Sequence, residues 1–233
     1  MESNAQRARR LDSSALSLGC CNPTAPLANL MSLLLGTRNP GKLREITSIL
    51  DNAGWVFRSL QEFPDVDVAE ENGETFAANA IAKAQFYAKA TAMWALADDS
   101  GLEVEALGGA PGVFSARYAG SDASDADRRE LLLSELAETG NTNRRARFVA
   151  VVAIADRDGR VLNLSQGICS GRIGFASRGH GGFGYDPLFI PDGYDQTFAE
   201  LPDTIKSLIS HRARALISTK DFLLSLDHPS HAS

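Results

Sequence analysis

The apolar run Met31-Ser32-Leu33-Leu34-Leu35-Gly36, followed at once by Thr37-Arg38-Asn39-Pro40-Gly41-Lys42, decides how this chain is laid out. The first half is short, apolar and closed by glycine, as a buried strand is. Beyond the polar turn, Leu43, Ile46, Ile49 and Leu50 recur at helical spacing, and Pro40 stands where a helix tolerates proline best. The unit therefore reads strand, polar turn, helix. Lys42 then falls in the first helical turn, where a cation opposes the helix dipole and is favourable only if an anion sits nearby. The turn is not a Walker pattern, because Lys42 is followed by Leu43 rather than Ser or Thr. On this stretch alone, a phosphate site and an ordinary solvated turn both remain open.

The rest of the chain continues the alternation. Trp55-Val56-Phe57 reads as a second strand, and Gln61 to Gly73 as an acidic loop. Thr75 to Ala92 reads as a helix on which Asn79 and Lys83, four residues apart, share a stripe. Trp94 to Ala97 reads as a buried strand ending in Asp98-Asp99-Ser100-Gly101. A helix is expected over about Asp125 to Glu138, a strong strand over Arg147 to Ala155, a hairpin turn at Asp158-Gly159 and an antiparallel return over Val161 to Cys169. One last helix is expected from about Asp203 to Leu226. Helices and strands mixed in this way imply an α/β fold with a mixed central sheet flanked by helices.

Composition bounds the partners. The 233 residues are 44% hydrophobic, ample for one large domain, assigned here to residues 31–228. A net charge of −6 argues against broad binding of nucleic acid or anionic membrane, so phosphate recognition has to rest on a few placed cations. Cys20, Cys21 and Cys169 provide neither a disulfide framework nor a spaced zinc site, and no run approaches a membrane span, which points to the cytoplasm. Residues 1–30 lack periodicity and read as a disordered extension, and residues 229–233 as a tail. Arg7, Arg9 and Arg10 before Leu11 to Cys20 faintly echo a lipoprotein signal, but Asp12, Ser13, Ser14 and Ser17 interrupt it. Met31 is the expected initiator; an intact extension in the mass spectrum of the native protein would overturn that.

Several residues carry candidate chemistry. Asp98 and Asp99 are consecutive in extended chain, so they should face opposite ways, one toward a cleft and the other bracing the backbone. Glu70, Glu71 and Glu74 form an acidic loop that reads either as solvated surface or, joined to Asp99, as hard oxygen ligands suited to magnesium. Gly182-Phe183-Gly184-Tyr185 alternates glycine with aromatic rings; its rings are either core or a stacking surface for a base. Ser210-His211-Arg212 falls at a helix start, where His and Arg offer donors to a ring carbonyl.

Taken in order, these segments resemble the inosine/xanthosine triphosphate pyrophosphatase family. The resemblance rests on Thr37 to Lys42, Glu70-Glu71-Asn72-Gly73-Glu74-Thr75-Phe76, Asn79 to Ala84, Ala97-Asp98-Asp99-Ser100-Gly101-Leu102, Pro111 to Tyr118, Gly182 to Pro187, and Lys206 with Ser210-His211-Arg212. It runs from about Met31 to Leu226. It implies a long mixed sheet between two lobes with the active-site cleft between them, a homodimer, and magnesium-dependent hydrolysis of non-standard purine nucleoside triphosphates (ITP, dITP, XTP) to monophosphate and pyrophosphate. By position, Thr37, Arg38, Asn39, Pro40, Gly41 and Lys42 would bind the phosphates with Lys83, and Glu70 and Asp99 would hold Mg²⁺. Asp99 would also accept the proton of the attacking water. Ser100 and Lys206 would touch substrate, and Phe183, Gly184, Tyr185 and Asp186 with His211 and Arg212 would form the base pocket. One departure is Leu201-Pro202-Asp203-Thr204-Ile205 in place of the usual Ser/Thr-x-Glu lead into Lys206. Two rival readings are a nucleotide-binding protein that senses without hydrolysing, and a pyrophosphatase for modified pyrimidine nucleotides.

Overall fold

A computed structural model describes residues 31–226. The expectations for residues 1–30 and for the tail after residue 228 lie outside the described residues. In chain order the elements are β1 (Ser32–Leu35), α1 (Pro40–Leu50), β2 (Val56–Ser59), α2 (Phe76–Thr91), β3 (Trp94–Val104), α3 (Asp125–Glu138), β4 (Arg145–Ala155), β5 (Val161–Ile173), β6 (Phe189–Pro191), α4 (Asp203–Ile209) and α5 (His211–Leu226). The six strands form one sheet in the order β2-β1-β3-β4-β5-β6. The first three run parallel to one another, and β4, β5 and β6 join antiparallel, so the sheet is mixed as expected.

Side-chain alternation along β3 assigns each face its helices. Ala95 and Ala97 pack with Ala80, Ala84, Tyr87 and Ala88 of α2, joined by Val149, Val151 and Ala153 of β4. Leu96 points the other way, into Leu33, Leu35, Ile46, Leu50, Val152, Ile154, Leu216 and Leu223 beneath α1 and α5. The small alanines on one face let α2 approach closely, while leucines and isoleucines fill the wider gap on the other. A third cluster, under α3 and α4, gathers Leu102, Leu132, Leu136, Phe148, Phe189 and Phe198.

Two expectations about element ends change. Strand β3 does not stop at Ala97 but runs to Val104, with Asp98 paired to Val152 and Asp99 to Val151 of β4. The ladder to β4 carries the polar residues through, so they lie inside a strand rather than at its end. The last helix is two helices. Ser210 is extended (φ −66°, ψ 157°) and its Oγ accepts a hydrogen bond from Ala213 N at 3.1 Å, which starts α5 afresh at His211. No helix among the described residues is long and apolar enough to cross a membrane.

Candidate active site

The cleft forms where β3 loses a neighbour. β1 pairs with β3 only from Leu33 to Leu35, opposite Trp94 to Leu96. Gly36 N then donates to Leu96 O at 2.7 Å and the chain turns away into α1; among the described residues β3 has no strand beside it from there on, only the isolated bridge of Glu103 to Pro111 near its end. A notch beyond the carboxyl end of a strand, where flanking helices lie on opposite faces, is the usual place for a ligand in such sheets.

Alternation now places the two carboxylates. Asp98 follows Leu96 onto the face of α1 and α5, where Arg212 Nε donates to Oδ2 at 3.0 Å and Lys42 Nζ lies 3.1 Å from Oδ1. Burial alone would raise the Asp98 carboxyl, but Lys42, Arg212 and Lys83 outweigh it and hold the group far below the ordinary carboxylate range. Asp99 follows Ala97 onto the α2 face. Its Oδ2 accepts from Asn79 Nδ2 at 3.0 Å, whereas Oδ1 has no hydrogen-bond donor among the described residues, Lys83 Nζ standing 3.9 Å away. Burial, aided by nearby Glu71, pushes the Asp99 carboxyl up against the pull of Lys83 and Lys42. The two aspartates face opposite ways as expected, but Asp98 is a counter-ion locked to Lys42 and Arg212 rather than a brace for the backbone, and Asp99 keeps a free oxygen at the cleft.

Lys83 bridges the acidic side, donating to Glu71 Oε1 at 2.6 Å and to the backbone oxygen of Asp98 at 2.8 Å. Burial works against its charge, but Asp98, Glu71 and Asp99 raise its pKa and keep it cationic. Glu71 is also held by Arg117, Nη2 donating to its backbone oxygen at 2.9 Å. Here the structure departs from the expected ligand pair. Glu70 is exposed and bonded to Asn72 Nδ2 at 2.8 Å, while its neighbour Glu71 lines the cleft with Asp99. Lys83 and Arg117 hold residue 71 inward, and residue 70 is left facing outward.

The turn at residues 37–42 divides its labour. Asn39 and Lys42 line the cleft, but Thr37, Arg38 and Pro40 line a different depression shared with Leu60 and Pro64. Arg38 reaches away to Val66 O at 2.5 Å. Asn39 caps α1, its Oδ1 accepting from Gly41 N at 2.8 Å and Lys42 N at 3.0 Å. The anion opposite Lys42 is Asp98 of the same chain. Gly41 lies beneath the Phe183 ring, and a Cβ there would sit 2.5 Å from Phe183 Cδ1.

The opposite wall is the loop before β6. Asp186 Oδ2 accepts from Phe183 N at 2.8 Å and from Lys206 Nζ at 2.6 Å, and Lys206 also meets Glu45 Oε1 at 2.7 Å. Lys206 Nζ lies over the Phe183 ring 5.1 Å from its centroid and the Arg212 guanidinium 5.6 Å, so two cations sit over that ring. Tyr185 is core rather than an exposed stacking face: it is 5% exposed and its hydroxyl donates to Ser115 O at 3.0 Å. His211 stacks on Phe148 with centroids 4.6 Å apart and planes 10° from parallel, and its buried Nδ1 has no hydrogen-bond partner among the described residues. Burial, with Arg212 and Lys206 nearby, lowers the imidazole pKa well below its usual value and keeps it neutral. Arg212 donates to Asp98, to Glu45 Oε2 at 2.5 Å and to Ser100 Oγ at 2.7 Å, and two of its five N–H groups have no partner among the described residues.

Glu45 joins Lys206 and Arg212 yet was not singled out from sequence, although its position three residues after Lys42 puts it on a neighbouring helical stripe. Among the described residues no cluster of three or more His, Cys, Asp or Glu would hold a metal ion unaided. The arrangement is therefore two carboxylates and several cations facing one aromatic loop, a set of groups suited to a polyphosphate carrying an organic ring.

The comparisons with known proteins agree with that geometry. The family model described as the Ham1 family matches residues 33–222. A protein of Desulforamulus reducens named dITP/XTP pyrophosphatase is 48% identical over 193 residues, covering 83% of this chain and 96% of its own length. One of the same name from Thermus thermophilus is 47% identical over 186 residues, covering 80% of this chain and 88% of its own. Among solved structures, a HAM1 protein from Coxiella burnetii superposes with a TM-score of 0.78 at 40% identity, covering 84% of this chain and all of that one. One from Mycobacterium abscessus, described as a nucleoside-triphosphatase and dITP/XTP pyrophosphatase, gives 0.66 at 39% identity, covering 81% and 98%. Sequence and fold thus agree, and the chain belongs to the Ham1 family.

Proposed function

We propose that this chain is a nucleoside-triphosphate pyrophosphatase that hydrolyses ITP, dITP and XTP to the nucleoside monophosphate and pyrophosphate. The observation that carries the reading is Asp99: one carboxylate oxygen is fixed by Asn79, and the other is free at a cleft lined by Lys42 and the Phe183 to Asp186 loop. The names of the relatives support the same substrate class. Asp99, with an oxygen open to the cleft, draws the proton from the attacking water. Lys42 and Lys83 orient the phosphates and oppose their charge. Phe183 packs against the purine.

Magnesium fits the donor set. The free oxygen of Asp99 and the Glu71 carboxylate are hard ligands, and Mg²⁺ characteristically takes one or two carboxylates and completes its shell with water and phosphate. When bound, it would neutralise charge on the departing pyrophosphate. Selection follows from hydrogen-bond matching. Hypoxanthine and xanthine carry a six-position carbonyl that an N–H of Arg212 can satisfy, whereas adenine presents an amino donor and leaves both donors unpaired. Mismatches of this kind discriminate by up to about 10⁴-fold. A homodimer in the cytoplasm completes the proposal; light scattering checks the first.

The decisive test is a panel of ITP, dITP, XTP, GTP, ATP and modified pyrimidine triphosphates, with products identified, in Mg²⁺ and in EDTA. Monophosphate plus pyrophosphate from the deaminated purines, abolished by EDTA and restored by Mg²⁺, is expected. Binding without turnover would favour a sensor, and diphosphate plus phosphate would refute the reaction. Gly41→Ala gives a local check. Alanine is better than glycine in a helix, by about 1 kcal/mol, but its Cβ must displace the Phe183 ring. The variant is expected to fold with unchanged melting temperature and a KM for ITP raised about fivefold to tenfold, equivalent to about 1 kcal/mol of lost binding.

A further inference from the structure

Helix α3 plays no part in the site as described so far, yet its first turn reaches it. Gly184, in the aromatic loop, has a left-handed backbone (φ +59°). Its N–H donates to Asp125 Oδ2 at 2.7 Å, and its carbonyl accepts from Arg129 Nη1 at 2.7 Å. Asp125 and Arg129 lie one helical turn apart, and together they hold both polar groups of one loop residue. Asp125 also meets Arg128 Nη2 at 3.3 Å, and Arg128 donates to Ala116 O at 2.6 Å and Ala123 O at 2.8 Å. Asp125, Arg128 and Gly184 all line the cleft.

Both ends of the loop are otherwise fastened from elsewhere. Phe183 N and Lys206 share Asp186 on one side, and Tyr185 is tied to Ser115 on the other. Gly184 between them has no side chain to pack, and its left-handed conformation is one that glycine leaves readily. Phe183 N and O are bonded to Asp186, but the N–H and carbonyl of Gly184, next to Phe183, are held among the described residues by the two α3 contacts alone.

We infer that Asp125 and Arg129 are positioning residues, a two-point clamp from α3 on Gly184 that fixes the base-recognition loop and so sets nucleotide affinity rather than the chemical step. The clamp also keeps the Gly184 carbonyl engaged. The inference rests on reading the cleft as a purine-nucleotide pocket.

The test uses the full chain with ITP and GTP, and the wild type is scored first. Asp125→Ala and Arg129→Ala are each expected to raise KM for ITP about fivefold to tenfold with kcat within about twofold, the loss expected when a charge-assisted hydrogen bond is removed at a partly exposed site. Asp125→Asn keeps an acceptor oxygen for the Gly184 N–H and is expected to recover most of the wild-type KM. An unchanged KM in both alanine variants of an active wild type overturns the clamp. So does a parallel fall in kcat, KM performance and melting temperature that Asp125→Asn fails to rescue, since that is general destabilisation. A wild type inactive on ITP and every other purine triphosphate brings down the pocket reading itself, and is recognised before any variant is compared.

Discussion

Asp99→Asn is expected to fold, to bind ITP with little change in KM, and to lose about 10³-fold or more in kcat. The substitution is nearly isosteric, and the amide oxygen can still accept from Asn79 Nδ2, so the contact that orients residue 99 survives. What disappears is the charge on the oxygen at the cleft. Removal of a general base alone costs about 10²- to 10⁴-fold, and the same carboxylate is also one of the two hard ligands available to Mg²⁺. Stability should move the other way. Burial disfavours the ionised Asp99 carboxyl in the folded chain, so its pKa is raised, and above that pKa the charge is a net cost to folding. A neutral asparagine escapes the cost, and the melting temperature at neutral pH should be unchanged or slightly higher. Steady-state kinetics beside a thermal melt checks both halves. Turnover near that of the wild type would remove Asp99 from the base role.

How much of this could be read from the sequence depended on whether a residue sat in a regular element. The opposed facing of Asp98 and Asp99 follows from the two-residue period of a strand, and the structure obeys it because Leu96 and Ala97 fix the phase just before them. Asn79 and Lys83 meet at Asp99 because four residues is one helical turn. In the acidic loop no period exists to set the phase, so nothing local told Glu70 from Glu71; the choice is made by Lys83 and Arg117, 12 and 46 residues further on. The break at Ser210 was hidden for a different reason: a helix of seven residues and one of sixteen, joined by a single extended residue, share one apolar pattern. Long-range contacts such as Asp125 to Gly184, 59 residues apart, leave no trace in spacing at all.

Lys42 shows a correct premise leading to a different partner. A lysine in a first helical turn does imply an anion, and the sequence suggested a ligand phosphate. The folded chain supplies Asp98, buried and 3.1 Å away. The two are compatible if Asp98 keeps Lys42 in place at the edge of the cleft, since a lysine held by a fixed carboxylate loses less side-chain freedom when a phosphate arrives.

Arg212 carries the second large effect, and there the expected loss is in folding. From the sequence it reads as a donor to the purine; in the structure its guanidinium is 2% exposed and joins Asp98, Glu45 and Ser100 at the junction of β3, α1 and α5. Arg212→Leu removes the fixed partner of Asp98 and one of the two partners of Glu45. Asp98 then keeps only Lys42, whose own charge is disfavoured first by burial and then by the nearby Lys83. Breaking a buried ion pair from one side costs about 3–5 kcal/mol, because a desolvated charge is left uncompensated. At about 2–4 °C per kcal/mol for a domain of this size, the melting temperature should fall by roughly 10 °C. Asp98→Asn in the same background separates causes: it removes the orphaned carboxylate, so the double variant should regain part of the loss. If Arg212 acted only on the base, Arg212→Leu would melt with the wild type and differ solely in KM and in the ratio of ITP to ATP turnover. Coupling between residues 98 and 212 in the melts, absent from either single change, is what a shared buried charge network requires.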